Sequence, residues 1–522
     1  MCPRPILALA LVVAAVLAAD RADGGFFGCS VAVSGDTAVV GSEGESAWVF
    51  TRSADRWTLQ QKLTASDGKA GDRFGVAVAI SGDTLLVGAP RHEVGGRYQQ
   101  GAAYVFVRSA GAWSEQQELV AADGAADDFF GSSVAVSGDT AFVGAPDQRV
   151  GAKAKGSAYV FARAAGVWSQ EQELTASDGS VGDGLGTSIA VSETGDTLAV
   201  GAPFGHGPNP AQGAVYVFAK STSAWNPQQK IVAYDGLSYD QFGRSVTVSG
   251  DTAVVGTYAE TGLNMGTVYV FVRSGGVWSP QQRLRDPNIP FLTWSGFGGS
   301  IAVSGETLVV GDYPSATAFV FARHDGWWSQ QPSLAASDAG AFGDDFGWSV
   351  ALSGDTALVG APMDQIGADE EGSAYVFLGS AGTSSQQAKL TMPRPPLAFH
   401  TLTPCRLVDT RGAPDVPIGG PALQGQETRQ FWIRGDYGYC GIPATAKALS
   451  LNLTVTEPTA MGHVRLFPAG TDLPAVSAIN YSAGQTRASN VVIGFRYKLA
   501  AFVGQPAGTT VHLVLDVNGY FE

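Results

Sequence analysis

The chain is poor in the residues on which most enzymes and metalloproteins rely. Its 522 residues include only 6 histidines, 4 cysteines and 5 methionines. The histidines are scattered without ligand spacing, and the cysteine spacing offers no zinc site. No GxSxG, HExxH or phosphate-cradling glycine loop occurs, so the familiar hydrolase, zinc-peptidase and nucleotide-binding signatures are missing. Charge is also sparse, at 15%, and acidic residues outnumber basic ones, 47 to 32, for a net charge of −15. Nucleic acid is excluded as a partner, because phosphate contacts need a basic footprint. Helical periodicity is almost absent. The one long apolar run, Ile6 to Ala18, is too short for a bilayer span, which takes ~20 residues. It follows Arg4 and ends in small residues, so residues 1–19 read as a secretory signal peptide. A secreted or cell-surface protein without a membrane span is therefore expected.

Glycine, by contrast, is abundant at 68 residues, and much of it recurs in step. FG-type dipeptides stand at Phe27-Gly28, Phe74-Gly75, Phe130-Gly131, Leu185-Gly186, Phe242-Gly243, Phe297-Gly298 and Phe346-Gly347. A period of about fifty residues marks an array of one supersecondary unit. Each copy continues with alternating apolar text around a Gly-Asp pair, as in VAVSGDTAFVGAP from Val134. A two-residue Gly-first connection between such runs is a tight hairpin, so VAVS is strand A and TAFVGAP is strand B. Strand C begins at Tyr104, Tyr159, Tyr216, Tyr269 or Tyr375, with Trp48 and Phe319 in the other copies. Strand D carries Trp57, Trp113, Trp168, Trp225, Trp278 or Trp328 followed by a glutamine pair; the seventh copy lacks the Trp and keeps Gln386-Gln387. Four short antiparallel strands per copy predict an all-β chain with a seven-bladed β-propeller over residues 20–392. The WD and kelch signatures are missing.

The pattern FG…VAVSGDTAVVGAP…GSAYVF resembles the FG-GAP repeat of the integrin α-subunit head in a compact bacterial version, from about Phe27 to Leu390. That resemblance implies the propeller fold and an adhesive or binding role. It would also imply calcium loops of the DxDxDGxxD type between strands A and B. Here those loops are SGDT or SETGDT, too short to wrap an ion that takes six or more oxygens. No cofactor is expected on this ground, and calcium would need another site.

Residues shared by every copy are read as fold requirements, and function is sought where the copies differ. The B–C and D–A loops fall at one end of the sheets and vary most. In copies five and six the Pro of GAP becomes Tyr258 and Tyr313, and the preceding D–A loops add Tyr234, Tyr239, Phe291 and Trp294. These six aromatics form the candidate ligand site, since exposed rings beside Asp and Asn suit a sugar or a peptide. The D–A aspartates, among them Asp67, Asp72, Asp123, Asp127, Asp178 and Asp183, have the side chains of cation ligands; one pair per loop supplies few oxygens, and Asp-Gly turns account for them equally well. His92, His206 and His324 lie in separate loops and are expected to be solvated.

Pro393 to Pro396 open a stiff linker, residues 393–398. Residues 399–522 alternate in short strand-like runs that predict a smaller β-sandwich. Cys405 and Cys440 lie in this segment, and export permits a disulfide between them; an Asp409–Arg411 pair is expected to be buried nearby. With PCRLVDTR at one end and DVNGYF at the other, the segment resembles a C-terminal module of exported bacterial proteins. Cys29 stands at a freely varying position and is read as a thiol without a role. The chain is thus expected to be a monomeric, non-enzymatic exported protein that presents variable loops to an extracellular protein or glycan. A lectin on the aromatic face is the first alternative, and a carbohydrate-active enzyme with carboxylates in the propeller mouth the second.

Overall fold

In five repeats a Gly-Asp pair, and in copy 6 Gly305-Glu306, closes a two-residue turn, while copy 4 has a longer one. In copy 3 strand A, Ser133–Ser137, pairs antiparallel with strand B, Thr140–Ala145, from Ser137↔Thr140 onward, leaving Gly138 (φ 56°) and Asp139 as the connection. Glycine takes the positive φ at that first position without steric cost. Strand B then pairs with strand C, Ser157–Ala164, and strand C with strand D, Val167–Leu174. The computed structural model describes residues 25–522 except 151–152, 206, 223, 259–265, 287–294, 339–342, 367–368, 380–383, 393–398, 413–419, 434–439, 444–445, 472, 496–497 and 522. The signal-peptide and linker readings therefore lie outside the described residues.

Seven four-stranded meanders of this kind occur among the described residues, at 30–63, 77–119, 133–174, 188–231, 245–284, 300–334 and 349–390. Each strand A lies beside strand A of the next copy, and that of copy 7 lies beside that of copy 1, closing a β-propeller. The core is divided among the seams. Leu86, Val105 and Leu119 of copy 2 pack with Phe130, Val143, Tyr159, Phe161 and Trp168 of copy 3, and Leu358, Val376 and Leu390 of copy 7 pack with Phe27, Val40, Trp48 and Phe50 of copy 1. The FG ring is the keystone of each seam: Phe130 is fully buried, with its centroid 5.4 Å from Tyr159 and 6.0 Å from Phe161, both edge-on.

The two glycines of the motif meet across the seam. A Cβ on Gly144 would lie 2.1 Å from the Gly186 carbonyl oxygen, and one on Gly186 (φ 94°) would lie 2.3 Å from the Ser157 oxygen. Only glycine lets these backbones approach so closely. The strand-A serine then caps the same carbonyl, as Ser133 Oγ donates to Gly186 O at 2.7 Å and Ser349 Oγ to Gly28 O at 2.8 Å. Copy 2 has Ala77 at this position and makes no such bond.

The strand-D glutamines clamp the tryptophan of the following copy. Gln117 accepts from the Trp168 backbone N–H at 2.9 Å and donates to its carbonyl at 2.8 Å, while Gln116 accepts from the indole at 2.9 Å. Copy 7 departs from the expected register: Val376 pairs with Ala388, where Val160 of copy 3 pairs with Gln172. Gln386-Gln387 therefore stands one residue earlier along its strand than Gln116-Gln117, as Gln330-Gln331 of copy 6 also does, and the Trp57 indole N–H facing that seam has no partner among the described residues.

The chain divides into two compact units, residues 1–366 with 370–392, and residues 393–522 with 367–369. The second unit is a β-sandwich. One sheet runs Phe399–Asp409, Thr510–Phe521, Ala448–Thr456, Arg487–Gly494; the other runs Thr428–Trp432, Lys498–Gly504, Gly462–Pro468, Ile479–Tyr481. Leu449, Leu451, Leu453 and Val455 alternate inward to meet Leu499, Ala501 and Val503, the period-two pattern of a half-buried strand. Cys405 and Cys440 are bonded at 2.08 Å. Asp409 and Arg411 do pair, at 2.8 Å, but largely in solvent, which corrects the expectation of a buried pair. Among the described residues no helix is long and apolar enough to cross a membrane.

Candidate ligand-binding face

Strand direction alternates along each meander, so the A–B and C–D turns share one end and the B–C and D–A loops share the other. Among the described residues of the propeller, the exposed rings divide unevenly between these ends. Tyr98, Phe204, Tyr234, Tyr239 and Trp348 stand on the loop face, and Trp327 alone stands at a C–D turn.

Two of the six candidate aromatics, Phe291 and Trp294, lie outside the described residues. Tyr234 and Tyr239 are 59% and 50% exposed. Their loop is held rather than loose: the Tyr239 N–H donates to Pro210 O at 3.2 Å, Asn209 Nδ2 donates to Gly236 O at 2.8 Å, and Asp240 accepts from the Leu237 N–H at 2.6 Å. The next ring follows directly, because the Tyr258 N–H donates to Asp240 O at 2.9 Å. Tyr258 and Tyr313 are only half-buried. Burial, with the neighbouring Tyr258 hydroxyl and Asp345 carboxylate, pushes the Tyr313 phenol up to about 12.

A fifth ring joins this group that the sequence did not single out. Trp348 stands edge-on to Tyr313 at 4.9 Å and is 44% exposed. It follows the seventh FG, a position that varies from copy to copy, and that variation was the available signal. Arg244, at the same position in copy 5, acts electrostatically on Tyr313. Asp345, whose carbonyl accepts from the Trp348 N–H at 3.0 Å, is pushed up to about 6 by burial and by Asp344. Copy 6 supports this surface with a buried acid: Asp312 takes the place of the GAP alanine and accepts from the Gly296 N–H at 2.8 Å and Ser295 Oγ at 3.1 Å. The face thus offers aromatic platforms flanked by a guanidinium and a carboxyl, an arrangement suited to stacking and hydrogen bonding.

The D–A aspartates take two fixed roles. The first of each loop accepts from the strand-C tyrosine hydroxyl: Asp67 from Tyr104 at 2.8 Å, Asp123 from Tyr159 at 3.0 Å, and Asp178 from Tyr216 at 2.7 Å. The second caps its own turn: Asp72 accepts from the Lys69 N–H at 2.7 Å and Asp183 from the Ser180 N–H at 2.6 Å. In copy 3 the capping residue is Asp128, which accepts from the Ala125 N–H, and not its neighbour Asp127. Burial acts upward on Asp178, but hydrogen bonds from Lys230 and Tyr216 outweigh it and hold the carboxyl below its usual range.

His92 is not solvated as expected. It is 5% exposed, and its Nδ1 lies 2.8 Å from Asp72 Oδ2. His324 is exposed, and His206 lies outside the described residues. The A–B turns hold no calcium loop: six are two-residue turns, and the longer turn of copy 4 is filled by Ser192 Oγ bonding Thr194 and Asp196, both at 3.1 Å. Burial, then Glu43, pushes the Cys29 thiol up to about 12, which disfavours the thiolate.

A family model described as FG-GAP repeat matches residues 12–53, 57–106, 113–161, 168–218, 225–271 and 328–377, over half of the chain. The unmatched stretch between the last two segments contains most of the irregular sixth copy. No curated protein matches. Solved structures that the chain is similar to include a protein from Lactobacillus plantarum, 16% identical with a TM-score of 0.46 over 72% of this chain and 97% of that one. The β-propeller domain of Cps50 (Swd1) from Myceliophteria thermophila is 11% identical, with a TM-score of 0.45 over 69% of this chain and 98% of that one.

Proposed function

The chain belongs to the FG-GAP repeat family, and from that premise we propose that it is an exported, non-enzymatic binding or adhesion protein whose loop face takes an extracellular protein or glycan. The observation that supports this reading is the uneven distribution of exposed rings, five on the loop face against one at the turns. Solvent-facing aromatics collected at one end of the ring offer stacking surfaces to a partner. Glycan is the second reading, favoured by the Tyr313–Trp348 pair beside Arg244 and Asp345, since sugar rings stack on such platforms while their hydroxyls bond the polar rim. The protein acts as a monomer in both readings. A glycan-array and extracellular-protein screen with the full chain tests them. Binding lost in Trp348→Ala and Tyr239→Ala supports the face, and release of a cleaved product would replace both readings with an enzyme.

A further inference from the structure

Five copies build a tyrosine–aspartate corner at the loop end of strand C, and four of them differ in the charge of the residue across the sheet. In copies 2, 4, 5 and 7 the strand-C tyrosine hydroxyl donates to the D–A aspartate: Tyr104 to Asp67, Tyr216 to Asp178, Tyr269 to Asp235 and Tyr375 to Asp338, all between 2.7 and 2.9 Å. The residue paired with that tyrosine across the sheet is Lys230, Arg283 or Lys389 in copies 4, 5 and 7. Each of these cations reaches the same aspartate: Lys230 Nζ lies 2.6 Å from Asp178, Arg283 bonds Asp235, and Lys389 Nζ lies 2.6 Å from Asp338 and 2.7 Å from Asp364. In copy 2 the cross-strand residue is Glu118. The corner that holds a built-in cation in three copies holds an additional carboxylate here.

His92 stands where Asp364 stands in copy 7, and its side chain is only 6% exposed. Its Nε2 points between Asp67 Oδ2 at 3.5 Å and Glu118 Oε1 at 3.7 Å, and the three atoms lie within 4.8 Å of one another. Those separations exceed the ~2.7–3.2 Å of an N–H···O hydrogen bond. They match the roughly 3.4 Å edge of a tetrahedron around an ion with ~2.1 Å bonds to nitrogen and oxygen. The surrounding groups prepare the donors. Asp72 takes Nδ1 and so leaves Nε2 for an ion, the usual outer partner of a metal-bound imidazole. Tyr104 occupies Oδ1 of Asp67 and leaves Oδ2.

Copy 3 shows what the corner looks like when no ion is needed. It also carries a glutamate, Glu173, but Ser157 Oγ donates to it at 2.7 Å, and Gln148, in the place of His92, reaches Asp123 at 3.4 Å. Copy 2 has Ala102 instead of the serine, and Glu118 accepts no hydrogen bond among the described residues.

We propose that copy 2 binds one divalent zinc-type cation through His92 Nε2, Asp67 and Glu118, in the place that a lysine ammonium fills in copies 4 and 7, with the fourth position open. An imidazole with two carboxylates suits a four-coordinate zinc-type ion and supplies too few oxygens for calcium. The site lies at the loop end of the sheet, opposite the shortened A–B turn, and uses none of the rings of copies 5 to 7.

The test uses the full chain stripped with chelator, titrated with zinc chloride by calorimetry and followed by thermal melting. One zinc ion per chain and a midpoint raised by a few degrees are expected, with no response to calcium chloride. Glu118→Lys places a lysine where copies 4 and 7 have one; it should fold with an unchanged or higher metal-free midpoint and lose zinc affinity more than about tenfold. His92→Gln recreates copy 3 and should lose zinc in the same way. Absence of a zinc response in the wild type, or a response kept in both variants, overturns the proposal.

Discussion

The two ends of the propeller are built from the same sheets and are unlike in almost every other respect. At the turn end one bracket recurs in copies 1, 2, 3 and 5: a strand-C arginine pairs with the aspartate of the Gly-Asp turn and lies over the strand-D tryptophan. Arg52, Arg108, Arg163 and Arg273 do so with Asp36, Asp83, Asp139 and Asp251, their guanidinium carbons 5.1 to 5.7 Å from the rings. At the loop end the B–C connections differ from copy to copy, and the exposed rings collect there. The recurrent bracket belongs to the fold of the ring, and the varied loops are the place to test for binding.

This contrast can be broken most severely at the glycines that serve both ends. Gly186→Ala forces a Cβ to within 2.3 Å of the Ser157 oxygen at a positive φ; a loss on the order of 4 kcal/mol or more is expected, read as failure to give a cooperative melt. Phe130→Ala empties the seam between copies 2 and 3 and should cost about 3–5 kcal/mol in chemical denaturation. Gln117→Ala removes two hydrogen bonds from Trp168 and should cost about 1–2 kcal/mol.

A pH experiment sharpens the comparison on the loop side. The folded-state pKa of Asp345 is raised to about 6, so between its ordinary value and 6 the folded chain binds more protons than the unfolded one. Its contribution to stability therefore falls as pH rises through that window. Asp345→Asn should be about 1 kcal/mol more stable than wild type at pH 7 after solvent screening, and the gap should close toward pH 4 in parallel melts. The smallest effect distinguishes the two ends directly. Arg163→Ala should cost about 1 kcal/mol and leave ligand binding unchanged, while Tyr239→Ala should change stability by less than about 0.5 kcal/mol.

Much of this architecture was legible in the sequence because the repeat states its own rules seven times. The Gly-Asp turns, the four strands and the buried FG rings each follow from local chemistry that every copy repeats. What escaped depends on packing between distant residues. His92 looked solvated because its partners, Asp67, Asp72 and Glu118, lie in the preceding loop and across the sheet. Trp348 was missed because its contact with Tyr313 crosses from copy 6 to copy 7, and Asp128 because of an identical neighbour. The glutamine shift in copy 7 is a matter of strand register, which spacing alone does not reveal. The exposure of Asp409 and Arg411 depends on where their strand ends relative to the sandwich core.

The central claim is that binding belongs to the loop face. The direct measurement compares wild type with two variants, Tyr239→Ala combined with Trp348→Ala on the loop face and Trp327→Ala at the turns, for binding to whichever glycan or protein the wild type retains in the screen. The account predicts at least a tenfold loss for the loop-face variant and none for Trp327→Ala. Undiminished binding by the loop-face variant, or loss on changing Trp327, would contradict it.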